Sequence, residues 1–363
     1  MRVVIIGAGV MGCATALELS RRGVRDLVIL ERAVPGAEAS SAAAGMLAAQ
    51  VESKSAEERA AYVRAREAYA TWAGELRELT GVDVGHRRTG ALELAASELE
   101  RGELAARVDE HRREGLRAEL VDAAGARAIE RELTSAIAGA AWFPDEAQVD
   151  PPQLLRALVA ATARANVTIR SGTTVSALVV TPPGGGSGGG EAADGARCVG
   201  VELDGREEVR GDAVVVAAGS WSSLVPGIPS GAPAVRPVRG QLVMLEERPP
   251  RLRSIVFLEG GYVVPRGDGR VICGSTMEDV GHRREVTASG VSAILQSALR
   301  IAPSLGAAEL SRTWSNFRPY AAGGPQIGPS SLPGLFLATG HHRNGILLAK
   351  VTADAVADAV LGG

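Results

Sequence analysis

The chain opens on a run without charge, residues 3–17, which glycine divides into pieces of different period. Arg2-Val-Val-Ile-Ile6 predicts a short buried strand, Gly7-Ala-Gly-Val-Met-Gly12 a tight turn, and residues 13–22 a helix. That helix turns Leu17 and Leu19 inward and ends on the cations Arg21 and Arg22. Gly23 stops it, and Leu27-Val-Ile-Leu30 predicts a second apolar strand closing on Glu31, which completes a βαβ unit of about 30 residues. An export signal is the competing reading, because Val10-Met-Gly-Cys13 imitates a lipoprotein processing site. Cleavage there would destroy the βαβ unit, so the strand reading is preferred. No other apolar run approaches the roughly 20 residues of a membrane span.

Beyond this unit the pattern changes several times. Residues 39–46 are small and read as a loop leading into a helix start, where a ligand can lie close to backbone. Residues 57–79 follow a helical period with Tyr62, Tyr69, Trp72 and Leu76 on one face, a core-facing set. A strand at 90–94 and helices at 97–113 and 122–131 suggest an inserted domain beginning near position 85. Pro151-Pro152 precede a helix over 154–165, and strands follow at 167–170 and 174–180. Residues 182–195 are rich in proline and glycine between strand-like flanks, and predict a long flexible hairpin loop with no part in catalysis. Residues 212–222 read as an apolar strand running into a small-residue turn, as a second backbone approach to a dinucleotide requires. Further strands are expected around 237–243, 261–266 and 269–277. Finally Leu335-Phe-Leu-Ala-Thr-Gly340 enters a third glycine turn before a C-terminal helix.

Composition narrows the classes. The 363 residues include 45 glycines but only 12 aromatics, so the core must be built from Ala, Val, Leu and Ile. The length fits two domains, or one large α/β domain with an insertion. A formal charge of -3 gives no excess that would seek nucleic acid or an acidic membrane, and favours a small-molecule partner. Cys13, Cys198 and Cys273 are too scattered for a disulfide framework or a metal site, which fits a reducing, cytoplasmic compartment. Neither of the two lysines, Lys54 and Lys350, sits in a phosphate-binding Gly-Lys loop, which excludes a P-loop nucleotide hydrolase.

The glycine turn has a mechanical reading. Gly7 permits the tight turn, Gly9 admits a pyrophosphate, and Gly12 lets the helix sit against the strand, so that the helix N-terminus, with Val10 and Met11, faces the phosphates. Glu31, 19 residues beyond Gly12, is placed to accept from a ribose hydroxyl pair. This unit alone does not separate FAD from NAD. The third glycine turn favours a flavin dinucleotide, which needs backbone at both its pyrophosphate and its isoalloxazine end.

Taken jointly, nine segments resemble the FAD-dependent D-amino acid oxidase family, and its glycine oxidase branch most closely. They are Gly7-Ala-Gly-Val-Met-Gly12 with Glu31, Ala42-Ala-Ala-Gly-Met46, His86-Arg-Arg-Thr-Gly90, Pro144-Asp-Glu-Ala-Gln-Val-Asp-Pro151, Val216-Ala-Ala-Gly-Ser-Trp221, Pro237-Val-Arg-Gly-Gln241, Gly261-Tyr-Val-Val-Pro265, residues 314–319, and His342-Arg-Asn-Gly-Ile-Leu-Leu348. The resemblance implies an α/β plus α+β fold: a Rossmann-like FAD-binding domain from residues 1–85, 141–232 and 319–363, and an antiparallel-sheet substrate domain from 86–140 and 233–318. Noncovalent FAD would be held by the glycine turn and Glu31 with Arg32, by Ala43, Ala44, Gly45 and Met46, and by Val175. Ala218, Gly219 and Trp221, then Gly240, then His342, Arg343, Asn344, Gly345, Ile346 and Leu347 would complete its site.

The resemblance further implies that Arg318, Tyr262 and Arg343 line the substrate site and that Met277 closes it. An arginine suits the carboxylate of an amino acid because its planar guanidinium grips both oxygens. Glycine, sarcosine or a small D-amino acid would pass a hydride to flavin N5, O₂ would be reduced to H₂O₂, and water would release a 2-oxo acid and ammonia. No side chain need act as general base. A role in making the thiazole of thiamine and a homotetrameric assembly are implied in the same way. A dehydrogenase feeding a carrier, and a flavin-containing subunit without catalysis, are the competing classes. His341 and His342 read as structural, since neighbours point apart. His342 stands where the branch commonly has an aromatic, and Lys350 where it often has proline.

Overall fold

Residues 1–181, 195–229 and 234–362 are described by the computed structural model. The first strand, Arg2–Ile6, is the middle of a six-stranded sheet whose order is Gln326–Pro329, Leu335–Thr339, Ala213–Val216, Arg2–Ile6, Asp26–Leu30, Thr168–Arg170. All pairings are parallel except that of the outer strand Gln326–Pro329. The central strands carry apolar runs, residues 3–6, 27–30, 213–216 and 335–338, because both faces are covered. Val3, Ile5, Leu27, Ile29 and Val215 pack beneath the helices Val10–Arg21, Ala56–Thr80, Pro151–Arg164 and Gly345–Gly362. Their neighbours Val4, Ile6, Val28, Leu30, Val214 and Val216 face a three-stranded antiparallel sheet, Val175–Thr181, Arg197–Leu203 and Glu208–Arg210.

The aromatic stripe of the Ala56–Thr80 helix is core, as its period predicts: Tyr62, Tyr69, Trp72 and Leu76 are all buried. Ser55 caps its first turn and Gly81, at φ 77°, ends it. The two prolines expected ahead of a helix over 154–165 instead form the first turn of Pro151–Arg164, where a missing N–H costs nothing, with Asp150 as cap.

A second sheet of eight strands draws on two stretches of chain. Its order is Glu309–Ala321, Val235–Glu246, Arg270–Gly274, Gly261–Pro265, Ile255–Leu258, Ala91–Ala95, Gly139–Phe143, Glu119–Asp122. It is antiparallel except where Ile255–Leu258 meets Ala91–Ala95 in parallel. These two strands come from distant parts of the sequence, so no hairpin dictates their direction. One face packs on the helix Ala288–Ile301 through Val243, Leu245, Val263 and Ile294. The other turns Leu242, Phe257, Tyr262 and Ile272 toward Ala44 and Ala48 of the first layer. The predicted loop at 182–195 lies outside the described residues save for Gly195; the strands on either side of it pair antiparallel, with Thr181 opposite Arg197.

Candidate active site

A cleft of about 460 Å³ runs between the two sheets. Its outer end is the βαβ unit. Gly7 has φ 103° and donates its N–H to Leu30 O at 2.8 Å; a Cβ there would lie 2.6 Å from Ala217 O. A Cβ on Gly12 would stand 1.9 Å from Gly7 O, so only glycine lets the helix start so near the turn. The buried Glu31 carboxylate is fixed by Ala8 N and Ala33 N, each at 2.9 Å. One bond to each oxygen leaves acceptor capacity toward the cleft, which Glu31 lines. Arg32 Cζ sits over Trp221, 3.6 Å from the ring centroid, and His282 stacks on the same ring at 4.0 Å. Small residues, Ala42, Ala43, Ala44 and Gly45, form one wall. Trp314 Nε1 donates to Ala42 O at 3.0 Å and Arg266 donates to Ala44 O, so the eight-stranded sheet anchors this loop at two points.

The inner end collects charge. Arg318 projects from the strand Glu309–Ala321 across Gly240, where a Cβ would come within 2.2 Å of its Nη1. It donates to Thr276 O at 3.1 Å, to Ser275 Oγ at 2.8 Å and to Tyr262. Among the described residues no carboxylate lies within 4.0 Å of it, and removal from water holds its pKa below the ordinary value. Tyr262 is 4% exposed and lies over Gly274, where a Cβ would meet the ring and hydroxyl at 2.4 Å. Arg343 is paired with Glu52 at 2.6 Å; burial opposes its charge, but Glu52 outweighs burial and the pKa rises. His342 lines the cleft with Nε2 unpartnered, and burial, then Arg318 and Arg343, push its pKa down to about 4.

Most of the residues expected from the sequence therefore border one cavity: Gly7, Gly9, Val10, Met11, Glu31, Arg32, residues 43–46, Val175, Ala218, Gly219, Trp221, Gly240, Tyr262, Arg318 and residues 342–346. Three do not. Gly12 acts one layer back, against Gly7 O. Leu347, on the core side of the C-terminal helix, is 1% exposed and packs beneath the six-stranded sheet. Met277, expected to close the pocket, is 56% exposed. The Arg239–Glu278 bridge and the Gln241 N–Thr276 Oγ bond pin that segment, so Ser275 and Thr276 meet Arg318 and Met277 is left at the surface. His341 is structural, with Nε2 2.9 Å from Thr352 Oγ1, whereas His342 belongs to the cleft.

Sequence reasoning missed Glu52, Ser275, Thr276 and Trp314's bond to Ala42. It also missed Glu146, whose fully buried carboxylate accepts from Ala49 N and Gln50 N at 2.8 and 2.5 Å and whose pKa burial raises to about 6. Only the acidic residue inside the segment 144–151 offered a signal. Among the described residues, no helix is long and apolar enough to cross a membrane.

A family model described as FAD dependent oxidoreductase matches residues 2–359. The chain is similar to a glycine oxidase of Geobacillus kaustophilus, 35% identical over 99% of this chain and 92% of that protein. It is also similar to the bifunctional protein ThiO/ThiG of Trichormus variabilis, 34% identical over 99% of this chain, and spans about half (52%) of that relative's length. A crystal structure of the Geobacillus kaustophilus glycine oxidase superposes with a TM-score of 0.89 at 34% identity, covering 99% of this chain and 94% of that one.

Proposed function

The chain belongs to the FAD dependent oxidoreductase family, and from that premise we propose that it oxidises glycine or another small amino acid, with Arg318 as the carboxylate clamp. FAD is its cofactor. The observation that carries the substrate reading is Arg318 itself: a desolvated guanidinium at the inner end of a dinucleotide cleft, held by neutral acceptors and without a carboxylate of its own. A bound α-carboxylate would supply the missing charge, and each charge-assisted bond contributes about 1.5–3 kcal/mol. Tyr262 would donate its hydroxyl to the same carboxylate. Arg343, neutralised by Glu52, and the uncharged His342 would shape the remaining wall. Together they orient the substrate's α-carbon.

Bound in the cleft, FAD would supply the redox chemistry by taking the hydride from that α-carbon. The glycine turn, Glu31 and the 43–46 loop would hold it, and the binding is proposed to be noncovalent, since all three cysteines are buried and none lines the cleft. Dioxygen is proposed as final acceptor, giving H₂O₂ and an imine that water converts to an oxo acid and ammonia. Supply of that imine for thiamine thiazole, a cytoplasmic location and a homotetramer complete the proposal, all by likeness to the branch. Measuring H₂O₂ against amino acid consumed in air tests it: equal yields are expected, and substrate loss that requires an added electron carrier would instead favour a dehydrogenase.

A further inference from the structure

A second cavity, of about 400 Å³, has the opposite character to the cleft. It is lined by Arg87, Arg156, Arg266 and Arg270 against only two carboxylates, Asp83 and Asp150. Both acids are engaged. Asp150 caps the helix Pro151–Arg164 through Gln153 N and pairs with Arg270 at 2.9 Å; Asp83 accepts from Gly85 N at 2.8 Å. Asp268, outside the lining, also pairs with Arg270 at 2.8 Å. Among the described residues, Arg87, Arg156 and Arg266 have no carboxylate within 4.0 Å.

Arg266 is the telling member because it is only 5% exposed. Its guanidinium donates to Gln148 Oε1 at 2.7 Å, to Val149 O at 2.8 Å and to Ala44 O, all neutral acceptors. Burial, with Arg270 and Arg87 close by, works against its charge, which Asp150 relieves only in part; its pKa falls to about 10. A buried cation held only by neutral groups is costly, and an anion beside it repays that cost. Arg87 hydrogen-bonds the backbone O of Arg266, which brings a second guanidinium to the same spot.

We propose that this cavity is a binding site for a small, multiply charged anion of the phosphate class, held by Arg87, Arg156 and Arg266. Guanidinium forks match phosphate oxygens bidentately, and three of them without a carboxylate partner among the described residues exceed what one chloride can neutralise. Arg266 lines this cavity and donates to Ala44 O in the wall of the cleft, so the occupant's charge bears on the arginine that supports the cofactor loop.

The test uses the flavin-loaded protein and inorganic phosphate. Equilibrium dialysis at fixed ionic strength, with chloride as the balancing salt, should show saturable uptake approaching one phosphate per chain. Uptake should weaken at least about tenfold in Arg87→Gln/Arg156→Gln, whose side chains are not buried in the core, and stay unchanged in Arg25→Gln, an exposed arginine outside the cavity. No saturable uptake would overturn the site, as would equal uptake by the double variant or equal loss in Arg25→Gln. A wild-type oligomer that takes up no phosphate and that the double variant dissociates would also overturn it, assigning the arginines to a second copy of the chain.

Discussion

At the scale of single residues, function rests on where positive charge is left without a partner. Arg343 has Glu52, whereas Arg318 has only neutral acceptors, so the two arginines that the sequence offered for one task divide it. Arg318→Ala is expected to raise KM for the amino acid by at least about 100-fold while flavin stays bound, since about 3 kcal/mol or more of charged hydrogen bonding is lost. An unchanged KM would remove Arg318 from the carboxylate. Gly240→Ala tests the same contact from the other side. Its methyl group would sit 2.2 Å from Arg318 Nη1, and moving the guanidinium should raise KM roughly tenfold in the variant that retains flavin. Steady-state kinetics on both variants separate a displaced clamp from a damaged cofactor site.

At the scale of elements, the βαβ unit was legible because each of its cues is local: an apolar strand, three spaced glycines, a cationic helix end and a closing glutamate. The 56–80 helix was legible for the same reason, its aromatic stripe having one period and one destination. What was not legible is long-range. Nothing near Glu52 in sequence points to Arg343, nothing near Trp314 to Ala42, and the parallel join of Ile255–Leu258 to Ala91–Ala95 spans more than half the eight-stranded sheet's chain. Met277 lies outward because of local pinning by its neighbours, which a resemblance in sequence does not carry. Gly12→Ala is the element-level prediction: the added Cβ meets backbone, not a movable side chain, so flavin affinity should fall at least about tenfold, measured by flavin retained through gel filtration. Removing residues 184–190 should leave flavin content and kcat unchanged, because the flanking strands keep their own pairing; loss of flavin would refute the expectation of a passive loop.

At the scale of the whole molecule, burial of imidazoles sets how stability responds to acid. His341 is pushed down to about 3 by burial, and His342 and His111 to about 4, burial again leading in each. An unfolded histidine titrates near about 6.5, so below that pH the unfolded chain binds more protons and stability declines as pH falls toward these lowered values. Glu146, raised to about 6, works the other way: its ionisation costs stability as pH rises through about 4.5 to about 6. His86 is lowered and Glu130 raised by burial in the same way, and with four imidazoles against two carboxyls Tm should drop between about pH 7 and about pH 5. His341→Gln should flatten the slope, since that one buried ring is worth a few kcal/mol at full effect; parallel Tm curves for variant and wild type would contradict this. The two layers also place a cofactor cleft between a mostly parallel sheet and a mostly antiparallel one, with Arg318, which has no carboxylate partner among the described residues, at its inner end. The most direct test of that reading is anaerobic mixing of the FAD-loaded protein, without any partner, with glycine, sarcosine, D-alanine and L-alanine. Bleaching of the flavin absorbance by glycine or another small amino acid, abolished or strongly weakened in Arg318→Ala, is the predicted result. A flavin that stays oxidised in millimolar concentrations of every one of them would contradict it.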